Sequence, residues 1–268
     1  MDPVIVAKGD SPVVLGLPHT GTYVPEEIAA DLNEEGLRLR DTDWHVDRLY
    51  SESAPGLHTT VAATFHRYVI DANRDPSGQS LYPGQTTTGL IPRTTFDNLP
   101  IWKDGREPDE RATAARLAAF HAPYHAALRA ELDRVKARHG IAVLFDCHSI
   151  RSVIPWLFEG TLPDFNIGTD NGTTCAAEIE RVTAEICAAS GRTSVLNGRF
   201  RGGWTTRHYG RPGDGIHAIQ MELAQSSYLA TEAPPFAYDE AKAADLGRTL
   251  DTILTAISDE ALRLAAQR

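Results

Sequence analysis

Residues 141–147 read IAVLFDC, an apolar run broken only by Asp146, and His148 follows it directly. Continuous apolar runs of this length, as opposed to alternating ones, are typical of strands buried on both faces of a parallel sheet. Gly140 precedes the run and suits the end of a long helical pattern over residues 109–139, in which we predict a break at Pro123. The sequence therefore predicts a helix that leads into a buried central strand.

Helical and strand patterns alternate on either side of this segment. Strand patterns occupy residues 13–17 (VVLGL), part of 60–70, 194–196 and 216–223 (IHAIQMEL), and helical patterns occupy 43–50, 173–190 and 238–268. Such alternation predicts an α/β fold, a three-layer sandwich with helices on both faces of a mixed, mostly parallel sheet. No repeat or shift in composition marks a boundary, so we expect residues 1–268 to form a single catalytic domain.

The overall charge narrows the classes of partner. The chain has 26 Lys and Arg residues against 36 Asp and Glu, a formal net charge of -10, and no basic cluster. This balance argues against nucleic acid and anionic membranes as partners. Three cysteines without CxxC spacing, a start unlike a signal peptide and the lack of any apolar run of about 20 residues favour a cytoplasmic protein. No pattern indicates an oligomeric state.

Polar residues follow or end several of the predicted strands. His19 comes after VVLGLP, Asp146 and His148 lie at the end of IAVLFDC, and Glu222 lies near the end of IHAIQMEL. Ligands of open α/β sheets bind beyond the carboxyl ends of the strands, so these side chains are expected to converge. A single histidine at a strand end is more often a surface or capping residue, but the pair favours a functional site.

Two histidines and one carboxylate form a common ligand set for a catalytic zinc ion, which keeps one position open for water. The segment DTDWHVD offers Asp41, Asp43 and Asp47 as the carboxylate, and the residues alone do not choose between them. Glu222 would then remain as a free carboxylate able to accept a proton.

Arginines in loops form a second candidate feature. Arg67 and Arg74 lie in HRYVIDANRD, Arg93 in LIPRTTFD, and Arg201 and Arg207 in RFRGGWTTRH. Arginines in Gly- and Thr-rich loops suit the bidentate binding of a carboxylate, although salt bridges to the neighbouring Asp71 or Asp75 are the simpler interpretation of any one of them.

Other hydrolase and nucleotide motifs are missing. The chain lacks the GxxxxGK[ST], GxGxxG and GxSxG patterns, and Cys147 lies in an apolar strand that disfavours a thiolate. The loop-rich residues 77–102 retain aromatic and aliphatic side chains, which is typical of a functional loop.

Long sequence blocks resemble one known family. From about Pro12 to Tyr228 the chain is similar to N-formylglutamate deformylases, also called N-formylglutamate amidohydrolases, in the blocks PHTGTYVPEE, DTDWHVDRLY, FHRYVIDANRDPSG, LYPGQTTTGLIPRTTFD, FDCHSIRSVIP, DFNIGTDNGTTC and GGWTTRHYGRPGDGIHAIQMELAQSSY. The resemblance implies a phosphorylase/hydrolase-like fold similar to zinc carboxypeptidases. It also implies zinc-dependent hydrolysis of N-formyl-L-glutamate to formate and L-glutamate, the last step of one histidine degradation route.

The resemblance also implies roles for individual residues. It implies His19, Asp47 and His148 as ligands of Zn²⁺ or another divalent metal, with Asp43 as the alternative acid, and Glu222 as the general base. Carboxypeptidases bring their first histidine and acid together as HxxE, whereas the third residue after His19 is Thr22. The acidic ligand must therefore come from elsewhere in the chain.

The Asn73–Arg74 pair resembles the pair with which carboxypeptidases bind a substrate carboxylate. We expect Arg74, helped by Arg93 or Arg207, to bind the two carboxylates of the small anionic substrate. Two alternatives remain open: hydrolysis of a related N-formyl or N-formimino amino acid, and a non-catalytic carboxylate-binding protein. A protein of the second kind has no use for Glu222, which would repel an anionic ligand.

Overall fold

The computed structural model of the protein describes residues 1–79 and 87–267. The strands are β1 (Val4–Ala7), β2 (Val13–Leu17), β3 (Thr59–Ala63), β4 (Ala142–Ile150), β5 (Phe165–Gly168), β6 (Ser194–Leu196) and β7 (Ile216–Ala224). The α-helices are α1 (Glu26–Ala29), α2 (Val46–Ser53), α3 (Glu110–Arg116), α4 (Ala122–His139), α5 (Ala177–Ala189), α6 (Trp204–Tyr209) and α7 (Glu240–Ala265).

The strands form one seven-stranded sheet in the order β1-β3-β2-β4-β7-β5-β6. The centre of the sheet, β3-β2-β4-β7, is parallel. Only β1 against β3 and β5 against β7 pair antiparallel among the described strands. The prediction of a mixed, mostly parallel sheet is therefore confirmed.

Helices cover both faces of this sheet, as the three-layer prediction requires. On one face, Val143, Phe145 and Cys147 of β4 pack in a core with residues of α2, α5 and α7. On the other face, Ala142 and Leu144 pack in a second core with residues of α4. Because β4 is buried on both faces along its whole length, its sequence reads as a nearly continuous apolar run.

The long helical pattern over residues 109–139 forms two α-helices. Between α3 and α4 lies a π-helical turn, Leu117–His121, and Pro123 occupies the first turn of α4. Proline has no backbone N–H to continue the hydrogen-bond ladder, so the interruption falls beside it, as predicted. Gly140 ends α4 with a φ of 76°, a left-handed conformation that glycine adopts without strain.

Several boundaries differ from the predictions. β4 continues to Ile150 because β7 pairs with it as far as Ile150 and Ala224, so His148 lies inside the strand. The helix predicted to start at residue 43 starts at Val46, since His45 is left-handed with a φ of 59°. The sequence patterns also did not indicate β1, β5 or α6.

Part of the loop predicted over residues 77–102 lies outside the described residues, which resume at residue 87. Within the described chain, none of the helices has both the length and the apolar character needed to cross a membrane.

Candidate metal centre and active site

A cavity opens where the carboxyl ends of β2, β4 and β7 meet. Among the residues that line it are five of the sequence-predicted site residues: His19, Asn73, Arg74, His148 and Glu222. The remaining described lining residues are Asp43, Arg67, Thr87, Thr88, Phe96, Ser149, Ile150, Leu157, Arg199, Phe200, Gly203 and Gln220.

Three buried side chains direct one ligand atom each toward a common point in this cavity: His19, Asp43 and His148. The two Nδ1 atoms lie 3.2 Å apart. Asp43 Oδ2 lies 3.2 Å from Nδ1 of His148 and 3.7 Å from Nδ1 of His19. Ligand atoms about 2.1 Å from one tetrahedral zinc ion lie about 3.4 Å from each other, so the three separations match a single metal centre.

The second nitrogen of each imidazole faces a carboxylate. His19 Nε2 donates to Asp71 Oδ1 at 2.6 Å, and His148 Nε2 lies 3.1 Å from Asp146 Oδ1. At His19 the carboxylate partner fixes the orientation of the ring and leaves Nδ1 to bind a metal, which is the arrangement usually found around metal-binding histidines, and at His148 the negative charge of Asp146 favours a proton on the same nitrogen, Nε2. This donor set fits a divalent cation.

The local backbone explains why Asp43 belongs to this cluster. The backbone N–H of Asp43 donates to the carbonyl of His19 at 3.0 Å, and Ser149 donates its own N–H to Asp43 Oδ2 at 3.1 Å. The left-handed His45 then turns the chain into α2. Asp43 is thereby held between the loop after β2 and the end of β4.

Asp47, which the resemblance implied as the acidic ligand, is not part of the cluster. It lies on the first turn of α2 with an exposed side chain, beside a shallow surface depression lined also by Thr20 and Tyr23. The left-handed His45 lies between the two aspartates, and the cluster of possible ligand atoms contains Asp43 in place of Asp47. Asp41, the third option, is buried but accepts hydrogen bonds from Tyr68 Oη and the Phe96 N–H instead.

The charges around the ligand atoms favour a cation. Burial alone would raise the pKa of Asp43, but hydrogen bonds and positive charge from His148 and His19 in their protonated forms hold it well below its ordinary value, a role that a divalent cation would take over on displacing the ring protons. Burial would also raise the pKa of Asp71, but the positive charge of Arg67 and the contact with His19 hold that pKa well below its ordinary value. Both carboxylates are therefore ionised near neutral pH.

Glu222 lies beside this centre without belonging to it. In the parallel pairing of β4 and β7 it is opposite His148, so the two side chains share one face of neighbouring strands about 4.8 Å apart. Its Oε2 accepts a hydrogen bond from Gln220 Nε2 at 3.1 Å. Burial raises the pKa of Glu222 to about 8. A carboxyl group with a pKa near the working pH suits proton transfer.

Gln220 and Glu222 point to the same side of β7, while Ile219, Met221 and Leu223 pack in the core on the opposite side. Gln220 is in turn oriented by the Gly203 N–H, which donates to its Oε1 at 2.6 Å. The Gly-rich segment before α6 therefore forms one wall of the cavity.

Three arginines line the described part of the cavity: Arg67, Arg74 and Arg199. Arg67 donates to Asp71 at 2.7 Å and lies over the Phe96 ring, so the alternative of a salt bridge to Asp71 is confirmed for this residue. Arg74 donates to the carbonyl and hydroxyl oxygens of Thr88, at 2.8 and 2.9 Å.

The structure does not bring the other two predicted arginines to the described cavity walls. Arg93 is exposed and lies at a separate depression beside Pro76 and Pro108. Arg207 contacts Asp170 at 3.2 Å and the carbonyl of Gly202 at 2.9 Å.

Arg199, which was not predicted, contributes a cation to the cavity from the loop after β6. Its Nε donates to the carbonyl of Leu157 at 3.2 Å. In the sequence, the only indication of a role for Arg199 is the Arg-rich run RFRGG in which it lies, and this run indicates Arg201 equally well.

Comparisons with known proteins show the family to which the chain is similar. Residues 11–229 match the sequence model of the family described as N-formylglutamate amidohydrolase. The chain is 43% identical to an N-formylglutamate deformylase of Pseudomonas aeruginosa over 270 residues, covering 100% of this chain and 99% of that protein. It is also 43% identical to an N-formylglutamate deformylase of Pseudomonas putida, covering 97% and 96% of the two chains.

Among solved structures, an N-formylglutamate amidohydrolase from Ralstonia eutropha JMP134 superposes with a TM-score of 0.79 at 26% sequence identity, over 96% of this chain and 98% of the other. The fold and the site together define an α/β protein with a two-histidine, one-carboxylate centre at the carboxyl edge of its sheet. With residues 11–229 matched and full-length relatives at 43% identity, the chain belongs to the N-formylglutamate amidohydrolase family.

Proposed function

We propose that this protein hydrolyses N-formyl-L-glutamate to formate and L-glutamate with a divalent metal, zinc in the first place, held by His19, Asp43 and His148. The observation that carries the proposal is the convergence of these three ligand atoms within one cavity, directly beside Glu222. Family membership supplies the substrate class.

A divalent cation bound there supplies Lewis acidity toward a carbonyl oxygen and lowers the pKa of water. Glu222 accepts the proton of the attacking water on its carboxylate and delivers it to the nitrogen of the departing glutamate. Its position opposite His148 on the neighbouring strand places it beside the ligand cluster, and the hydrogen bond from Gln220 orients the carboxylate. The C–N bond of the formamide breaks, and formate and the free amine leave.

Arg74 and Arg199 bind the two carboxylates of the substrate. Both line the cavity, whereas Arg93 and Arg207 do not. Arg67 has a different role, because its contacts with Asp71 and Asp43 compensate buried negative charge behind the ligands. A guanidinium suits this task because it donates two parallel hydrogen bonds to one carboxylate.

Asn73 supports the centre more than it binds substrate. Its Oδ1 accepts a hydrogen bond from the Thr205 N–H at 2.9 Å, and its Nδ2 lies 3.2 Å from His148 Nε2. This amide therefore packs against the ring of a metal ligand. We infer from the family resemblance that the reaction is the last step of a histidine degradation route, and from the cysteine pattern that it takes place in the cytoplasm.

Metal analysis combined with an activity assay tests the proposal. The purified protein is expected to contain about one divalent metal per chain, to lose turnover of N-formylglutamate on chelation, and to regain it when zinc is restored. Full turnover by demetallated protein would contradict the metal site. A zinc-loaded, folded protein that does not release formate from N-formylglutamate would contradict the substrate.

A further inference from the structure

Two histidines outside the cavity lining pack together behind it. His121 is the last residue of the π-helical turn and His125 lies in the first turns of α4, with ring centroids 4.4 Å apart. Neither belongs to the ligand cluster, and the mechanism above uses neither of them.

Each ring is bound to a backbone carbonyl of the segment that carries Asn73 and Arg74. His125 Nε2 donates to the carbonyl of Ala72 at 2.8 Å, and His121 Nε2 donates to the carbonyl of Arg74 at 3.1 Å. A carbonyl oxygen only accepts hydrogen bonds, so the proton lies on Nε2 in both rings. Burial lowers the pKa of both rings, that of His125 to about 3, which keeps them neutral in this tautomer.

The two carbonyls flank Asn73, and the segment between them reaches both functional parts of the site. The Asn73 amide lies against His148, and the Arg74 side chain lines the cavity. A shift of this backbone would therefore move an outer contact of a metal ligand and a cation proposed to bind the substrate.

We propose that His121 and His125 are positioning residues, which clamp residues 72–74 through their carbonyls and so hold Asn73 against His148 and Arg74 in the cavity wall. The part of this proposal that concerns Arg74 and substrate binding rests on the proposed function. The part that concerns Asn73 and His148 involves metal binding alone. The two parts can therefore be measured separately.

The test compares His121→Leu and His125→Leu, which remove the donor, with His121→Gln and His125→Gln, whose amide can replace the Nε2–H. The leucine variants are expected to raise the KM for N-formylglutamate and the zinc dissociation constant several-fold, up to about tenfold. This is less than the roughly 10–100-fold lost with a direct outer contact of a metal ligand, because the two histidines act through residues 72–74. The glutamine variants should restore both quantities to within about twofold. Competition with a chromogenic chelator measures the zinc constant without any substrate.

His58→Leu is the matched control. His58 also forms a buried hydrogen bond, to Ser11 Oγ at 2.6 Å, but it lies just before β3, at the amino edge of the sheet away from the cavity. His58→Leu should lower the melting temperature and leave both the KM and the zinc dissociation constant unchanged. If His125→Leu does not fold, the comparison uses His121→Leu and His125→Asn. The asparagine amide is too short to reach the carbonyl of Ala72.

The proposal is overturned if folded leucine variants keep wild-type values of both constants, or if glutamine variants are as impaired as leucine variants. If the wild-type protein does not turn over N-formylglutamate, the proposed function fails by itself. The zinc constants of the same variants then still decide whether the pair positions Asn73.

Discussion

Glu222→Gln removes the proposed proton acceptor while keeping the shape of the side chain. The new amide can still meet Gln220, because its carbonyl oxygen can accept the hydrogen bond that Glu222 Oε2 accepts at 3.1 Å. Glu222 is not among the ligand atoms, so zinc content should be unchanged. The pKa of Glu222 is raised by burial, so a neutral group there removes a burial penalty and the melting temperature should not fall.

Turnover should fall by about 10²–10⁴-fold, the usual contribution of general acid–base catalysis. This range corresponds to about 3–5 kcal/mol in the activation free energy. The assay is formate release at saturating N-formylglutamate, on protein whose zinc content has been measured. Because the substituted group acts on the transferred proton, KM should change much less than kcat.

Glu131→Gln is the matched control for this substitution. Glu131 is as buried as Glu222, at 7% exposure, but it lies on α4 and pairs with Arg134. It should lose stability and keep its turnover. A folded, zinc-loaded Glu222→Gln protein with turnover within a few-fold of wild type would refute the reasoning.

Two further substitutions test the walls of the cavity. A Cβ on Gly203 would lie 2.4 Å from Asn73 Nδ2, so Gly203→Ala should displace Asn73 and lower kcat/KM by about 10–100-fold. The control is Gly213→Ala, which should not change kcat/KM because no atom lies within 4 Å of the added Cβ. Arg199→Ala should raise the KM for N-formylglutamate by about 10–100-fold with a smaller change in kcat, because a hydrogen bond to a charged group contributes about 1.5–3 kcal/mol and is made before and during the reaction. Arg93→Ala is the control and should leave KM unchanged. If Arg199→Ala also leaves KM unchanged, Arg199 does not bind the substrate.

The strands that carry the site could be predicted from the sequence because their patterns are local. β4 is apolar on both faces and β7 alternates at its end, so the two strands and the side of Glu222 follow from periodicity. The antiparallel β5 could not be predicted in this way. It has only four residues, and its place next to β7 depends on pairing with distant strands.

The choice among the three aspartates also lay beyond the sequence. Asp43 and Asp47 are four residues apart, and only the left-handed turn at His45 decides that one faces the cavity and the other faces solvent. Arg199 is a similar case, because its loop has no regular pattern and its place at the cavity depends on a hydrogen bond to the carbonyl of Leu157 and on its position over the Phe200 ring.

The metal content of two aspartate variants tests the central claim most directly. Asp43→Asn removes the negative charge of a carboxylate whose Oδ2 lies 3.2 Å from His148 Nδ1, whereas Asp47→Asn makes the same chemical change on the exposed first turn of α2. We expect Asp43→Asn to lose most of its bound metal and its turnover, and Asp47→Asn to keep about one metal per chain with wild-type turnover. A folded Asp43→Asn protein with full metal content, or an Asp47→Asn protein without metal, would contradict the account.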